Sequence, residues 1–217
     1  MQLRQQKNAK ITLSILFIII GIFLITFNYF GSIKSNLFNE KNIELFEQQI
    51  VLPEEIETVD TDTVDNDEPT ITDDANNQDI SGYIGYLSIP ELNIKRGFTA
   101  LDSPYNSLKY NVLLVQGSTM PDVDKGNLIL AAHNGHSKVS FFNELYRLQD
   151  GAHAYITYNG KLYDYVLKNR YDVPKVGTVS IKRDANKTTL TLITCKNGTN
   201  DKQVVYIFEL ENINIAG

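Results

Sequence analysis

The 217-residue sequence predicts a mainly β protein folded as a small closed barrel, and three observations carry that reading. Between residues 83 and 210, short runs rich in β-branched and aromatic residues follow one another, cut by turn signals. Asn159-Gly160 joins two of these runs in the dipeptide favoured by tight hairpins. Only one segment of the region has helical spacing, so strands must build most of the core.

The elements before the barrel differ sharply in composition. Residues 1–10 hold Arg4, Lys7 and Lys10 with no acid among them, and Ile11 to Ile33 is an uncharged run of 23 residues dense in Ile, Leu and Phe. A helix of about 20 residues spans the roughly 30 Å hydrocarbon core of a bilayer, so 11–33 is expected to be a transmembrane anchor. A cleaved signal peptide has a shorter apolar region and a small-residue cleavage site, and GSIKSN after this run has no A-x-A pattern. The basic flank puts residues 1–10 in the cytoplasm and the rest of the chain outside, giving a single-pass protein of the cell membrane. Residues 34–52 form a juxtamembrane stretch, in which Ile43, Phe46 and Ile50 give Phe38 to Ile50 the spacing of a short amphipathic helix. Residues 53–80 contain eleven acidic residues, no basic one and no aromatic. That composition cannot bury enough apolar surface to offset ordering, which predicts an extended, self-repelling linker.

Residues 81–217 are the expected globular domain. Its predicted strands are Tyr83 to Ile89, Val112 to Val115, Asn127 to Ala132, Ala154 to Tyr158, Leu162 to Leu167, Thr189 to Cys195 and Val204 to Leu210. Ser140 to Leu148 (SFFNELYRL) is the predicted helix, started by Ser140 and stopped by Asp150-Gly151.

Composition excludes several functions. The formal net charge of −6 argues against nucleic-acid binding, which needs a basic face. One cysteine forms no internal disulfide and no CxxC zinc site, and with three histidines a metal centre would have to be mostly carboxylate. The acidic stretch lacks the glycine and terminal Glu spacing of a calcium loop, so no metal and no cofactor is expected.

The reactive side chains cluster at strand ends. Cys195 closes TTLTLITC and is followed by the loop KNGTNDK; His133 closes NLILAAH and opens NGHSK. A β scaffold usually presents its site at such strand-to-loop junctions. A free thiol with a pKa of about 8.5 is only a few per cent thiolate at neutral pH, so a working Cys195 needs a cation or an acid–base partner. A cysteine kept on an extracytoplasmic domain, where oxidation threatens it, needs a functional reason. His136 lies further into its loop and His153 follows a turn glycine, so neither is expected at the site.

Leu130-Ala131-Ala132-His133-Asn134 resembles the sortase histidine motif, and Thr191-Leu192-Ile193-Thr194-Cys195 resembles the sortase Thr-Leu-x-Thr-Cys signature. The order of His133, FFNEL, the Leu148 to Gly151 turn and the cysteine strand is also similar to that family, over about Tyr83 to Glu211. The resemblance implies a closed eight-stranded barrel with one or two short helices and a membrane-anchored cysteine transpeptidase of a Gram-positive-type cell surface. Its substrates would be surface proteins with a C-terminal sorting signal of the Leu-Pro-x-Thr-Gly kind, and its acceptor an amine from a cell-wall precursor or a pilin. In that scheme Cys195 forms a thioacyl enzyme, His133 is the acid–base residue, and Thr194 lines the substrate groove.

Sortases also carry an Arg near the start of the last strand, where this chain has Lys202 and Gln203. Lys202 is the expected replacement, with Arg170, Arg183 and Gln203 as alternatives. Two other readings are weighed. The L,D-transpeptidase type lacks its Ser-x-Gly-Cys setting here, and a degenerate domain that binds sorting peptides without turnover rests on the missing Arg alone.

Overall fold

The computed structural model describes residues 15–23, 36–48 and 82–216. Residues 15–23, within the expected anchor, are helical with most of their apolar side chains exposed; the rest of 11–33 and the expected linker at 53–80 lie outside the described residues. Among the described residues no helix is long and apolar enough to cross a membrane.

Eight strands form a single sheet: β1 (Tyr83–Ile89), β2 (Ile94–Thr99), β3 (Leu113–Leu114), β4 (Asn127–Ala131), β5 (His153–Tyr158), β6 (Lys161–Pro174), β7 (Thr189–Cys195) and β8 (Lys202–Ile215). They lie in the order β2-β1-β5-β6-β8-β7-β4-β3, and the terminal strands β2 and β3 come back into contact, so the sheet is a nearly closed barrel. The bounds of β1 and β7 match the apolar runs that predict them. Asn159 and Gly160 both have positive φ, 47° and 67°, as the primed hairpin turn between β5 and β6 requires.

Three features depart from the sequence reading. β2 (IKRGFT) was not expected, because Lys95, Arg96 and Gly97 interrupt its apolar pattern. Gly97 is there for close approach: a Cβ would meet the Tyr83 ring at 2.1 Å, so only glycine lets that ring lie across the strand. β6 and β8 run well past their apolar cores, as a ladder paired from Lys161↔Ile215 to Pro174↔Lys202. The predicted helix at 140–148 is instead a series of turns ending in a 3₁₀ turn, Leu145–Arg147. Its amides bond three residues back, and no side chain caps its start. Phe141, Phe142, Leu145 and Leu148 are all buried, and the Phe142 amide is held by the His133 carbonyl at 3.1 Å. Packing the apolar residues into the barrel mouth outweighs a weak, uncapped helix.

The main core fills the barrel with Leu128 and Leu130 of β4, Leu190 and Leu192 of β7, and Tyr206 and Phe208 of β8. On the opposite side of β6 and β8, Val173, Val205 and Ile207 are covered by Val179 and Ile181 of the β6–β7 loop.

Residues 36–48 are helical, and residues 41–48 fall in the same compact unit as the barrel. Within that unit Ile43 is 2% exposed, Phe46 meets the Tyr86 ring edge-on at 6.2 Å, and Glu47 pairs with Lys95 at 3.0 Å. The exposed ion pair adds little, so apolar contact holds the segment. Ile43→Ala is therefore expected to cost about 2–3 kcal/mol, the lower end of core truncations because a peripheral helix can settle into the gap. Urea unfolding checks this. A midpoint unchanged from the parent would show that residues 41–48 do not contribute to the domain's stability.

Candidate active site

The position of Cys195 follows from strand direction. β4 and β7 are the one parallel pair among the described strands, in the register Asn127↔Thr189 through Ala131↔Ile193. Parallel neighbours end at the same rim. Cys195 and His133 each lie two residues beyond the last β4–β7 pair, Ala131↔Ile193, and so reach the same rim.

Two hydrogen bonds continue the pairing past the ladder. Thr194 is 3% exposed, and its Oγ1 donates to the Ala132 carbonyl at 2.9 Å. Asn134 Nδ2 donates to the Cys195 carbonyl at 2.7 Å. The loop after His133 is thereby fastened to the end of β7. The Oδ1 of Asn134 is buried without a hydrogen-bond partner, leaving an acceptor for a bound group.

Beside this rim lies a cleft of about 400 Å³. Thr194, half-buried Cys195 and Lys196 form one side of it, with Asn134 beside them. Phe142 and Tyr146 supply apolar wall, and Arg170 of β6 with Val204 and Tyr206 of β8, the strand beside β7, complete the lining. Arg170 pairs with Tyr206 across the ladder, and its Nη1 donates to the Leu148 carbonyl at 2.7 Å. One end of the guanidinium is thus anchored on the mouth segment, in a residue that lines the cleft. Burial raises the Tyr206 phenol above its ordinary pKa, Arg170 pulls it back, and Asp172 pushes it up again. Lys196, next to the cysteine, is ion-paired with Asp172.

The residues singled out from sequence separate clearly. Cys195 and Thr194 line the cleft; His133 stands at the same rim, exposed, outside the lining. His136 is exposed in the loop beyond, and His153 is bonded to Asp164 on β5 and β6. Lys202 is exposed at the start of β8 opposite Pro174, and is not among the lining residues. Gln203 is the β8 partner of Cys195. Arg183 braces the β6–β7 loop, with its guanidinium on the carbonyls of Asp184, Lys187 and Lys125. Lys196 and Tyr206 were not recognised from sequence, and Arg170 was only an alternative. Nothing in the sequence marked Arg170, which lies beyond the predicted strand Leu162 to Leu167 and is one of three cations on β6 with Lys161 and Lys168.

A family model described as the sortase domain matches residues 87–210. Among solved structures, sortase C-1 from Actinomyces oris is 22% identical at a TM-score of 0.55, over 62% of this chain and 76% of that one. Sortase C1 from Streptococcus agalactiae is 25% identical at a TM-score of 0.52, over 62% and 70%. Sortase A from Listeria monocytogenes is 22% identical at 0.52, over 62% and 90%. No curated protein matches the chain.

The Thr194 strut has a measurable consequence. Thr194→Val keeps the shape but leaves the Ala132 carbonyl without its donor, which should cost about 1–3 kcal/mol, whereas Thr194→Ser should cost less. Equal urea midpoints for the valine variant and the parent would remove the strut's role in joining β4 to β7.

Proposed function

Because the chain belongs to the sortase family, whose matched domain spans residues 87–210, we propose that it is a cysteine transpeptidase working through Cys195 and His133. The observation that carries the reading is the parallel β4–β7 register, which ends both strands at one rim beside the cleft.

In the proposed reaction the Cys195 thiolate adds to the scissile carbonyl carbon of a sorting signal. The C–N bond breaks as His133 gives its proton to the departing amine, leaving a thioacyl enzyme. An incoming amine then loses a proton to His133 and attacks the thioester, and the C–S bond breaks to restore the thiolate. The substrates are surface proteins with an LPxTG-like signal, and the acceptor is an amine of a cell-wall precursor or pilin. Asn134 Oδ1 is suited to accept a substrate amide N–H. The membrane anchor at 11–33 remains part of the proposal, supported by its uncharged length and basic flank.

The tetrahedral oxyanion needs a donor in the cleft. Arg170 is assigned that role in place of Lys202, because it lines the cleft with Cys195 while Lys196 is engaged by Asp172.

Mass spectrometry after incubation with sorting-signal peptides, with and without amine acceptors, tests the reaction. Cys195→Ala should form no thioacyl adduct, and His133→Ala should lose about 10²–10⁴-fold in rate, with small effects at His136 and His153. Substantial turnover by Cys195→Ala would sink the mechanism.

The cation is tested separately. Arg170→Ala should lower the acylation rate by about 10²–10³-fold, and Lys202→Ala should change it little. The reverse pattern would return the role to Lys202, and two silent variants would leave backbone N–H groups as the donors.

A further inference from the structure

Away from the cleft, three strands bring metal-ligating groups together. A ring nitrogen of His153 at the start of β5 and one carboxylate oxygen each from Asp164 of β6 and Glu211 of β8 all lie within 4.8 Å of one another. His153 Nδ1 and Asp164 Oδ1 are already 2.7 Å apart. Glu211 arrives through a β-bulge. The ladder pairs Asp164 with Asn212 and Tyr165 with Leu210, so Glu211 is the extra, unpaired residue, and bulges of this kind re-aim a side chain.

An ordinary ion pair does not account for this group. Protonated His153 balances one carboxylate, and the second leaves the cluster negative. Among the described residues no lysine or arginine forms an ion pair with Asp164 or Glu211. The ring of Tyr155 stacks on His153 with centroids 6.0 Å apart and flanks the cluster on β5. The surplus charge suits a divalent cation.

We propose that His153, Asp164 and Glu211 form a binding site for a divalent transition metal of the zinc type. An imidazole with two carboxylates is the donor set of zinc, whereas calcium and magnesium sites are built from oxygen alone. Zinc–ligand lengths of about 2.0–2.2 Å hold tetrahedral ligands roughly 3.5 Å apart, a spacing within the 4.8 Å that encloses the three groups. His153 is 43% exposed and Asp164 17%, which leaves the fourth position open to water. Asp164 lies six residues from Arg170 along β6, about 20 Å at 3.3 Å per residue, so the metal would staple β5, β6 and β8 apart from the cleft.

The test uses the full chain carrying Cys195→Ala, so that the thiol cannot capture metal, stripped with chelator and titrated calorimetrically with zinc chloride or calcium chloride. Zinc should bind one per chain, tighter than calcium, and raise Tm by about 5–10 °C at a hundredfold excess over Kd. Glu211→Gln and His153→Ala, both at exposed positions, should each weaken zinc at least tenfold, read as a change in Kd. No saturable zinc binding up to about 1 mM, unchanged affinity in either variant, or preference for calcium would overturn the site.

Discussion

Most of what distinguishes this molecule depends on β4 and β7 running parallel. A parallel pair in a mostly antiparallel barrel needs a long excursion between its strands, here the whole of β5 and β6. In return it places the C-terminal ends of two strands at one rim, which no direct hairpin does. Reversing β4 would put His133 at the far end of the barrel from Cys195. A slip of one residue in the register would turn Thr194 away from the Ala132 carbonyl and expose the leucines now in the core. The hydrophobic pattern of TLTLITC and the placement of the cysteine are therefore one constraint, enforced by the same burial.

The rest of the barrel supplies the walls. The β6–β8 ladder carries Arg170 and Tyr206 to the cleft side, and Phe142, bound through its amide to the His133 carbonyl, closes the mouth above them. His133 thus works on two levels, its backbone ordering the mouth segment while its side chain stays exposed. The same ladder extends past the cleft to the bulge at Glu211, beyond which Ile213 and Ile215 of β8 are exposed.

How much of this was legible in the sequence follows from which forces are local. β7 was readable to the residue because burial is nearly continuous along it, β1 because its buried residues alternate strictly over Gly85, Leu87 and Ile89, and Asn159-Gly160 because its backbone chemistry is self-contained. β2 was not, since its place depends on a tyrosine ring lying over Gly97, a contact between strands. The 140–148 segment has helical spacing, yet without a cap its buried phenylalanines settle the conformation. Cys195 and His133 could be named because both close apolar runs. Which cation borders the cleft, Arg170 rather than Lys202, was not legible, because it depends on the order of strands in the sheet.

That choice has a simple geometry. In the sheet β6 is the neighbour of β8, so moving a cation from the last strand to β6 displaces its Cα by roughly 4.8 Å sideways. A guanidinium acts through the position of its N–H groups, and an arginine side chain is long enough to absorb a shift of one strand spacing. Lys202, although on the last strand, lies where β8 pairs with Pro174 at the outer end of the ladder, exposed and beyond the cleft. On the proposed chemistry the requirement is a donor bordering the same cleft as the thiol. The tether to the Leu148 carbonyl holds Arg170 in that position before any substrate arrives, so little side-chain freedom remains to be lost when it binds.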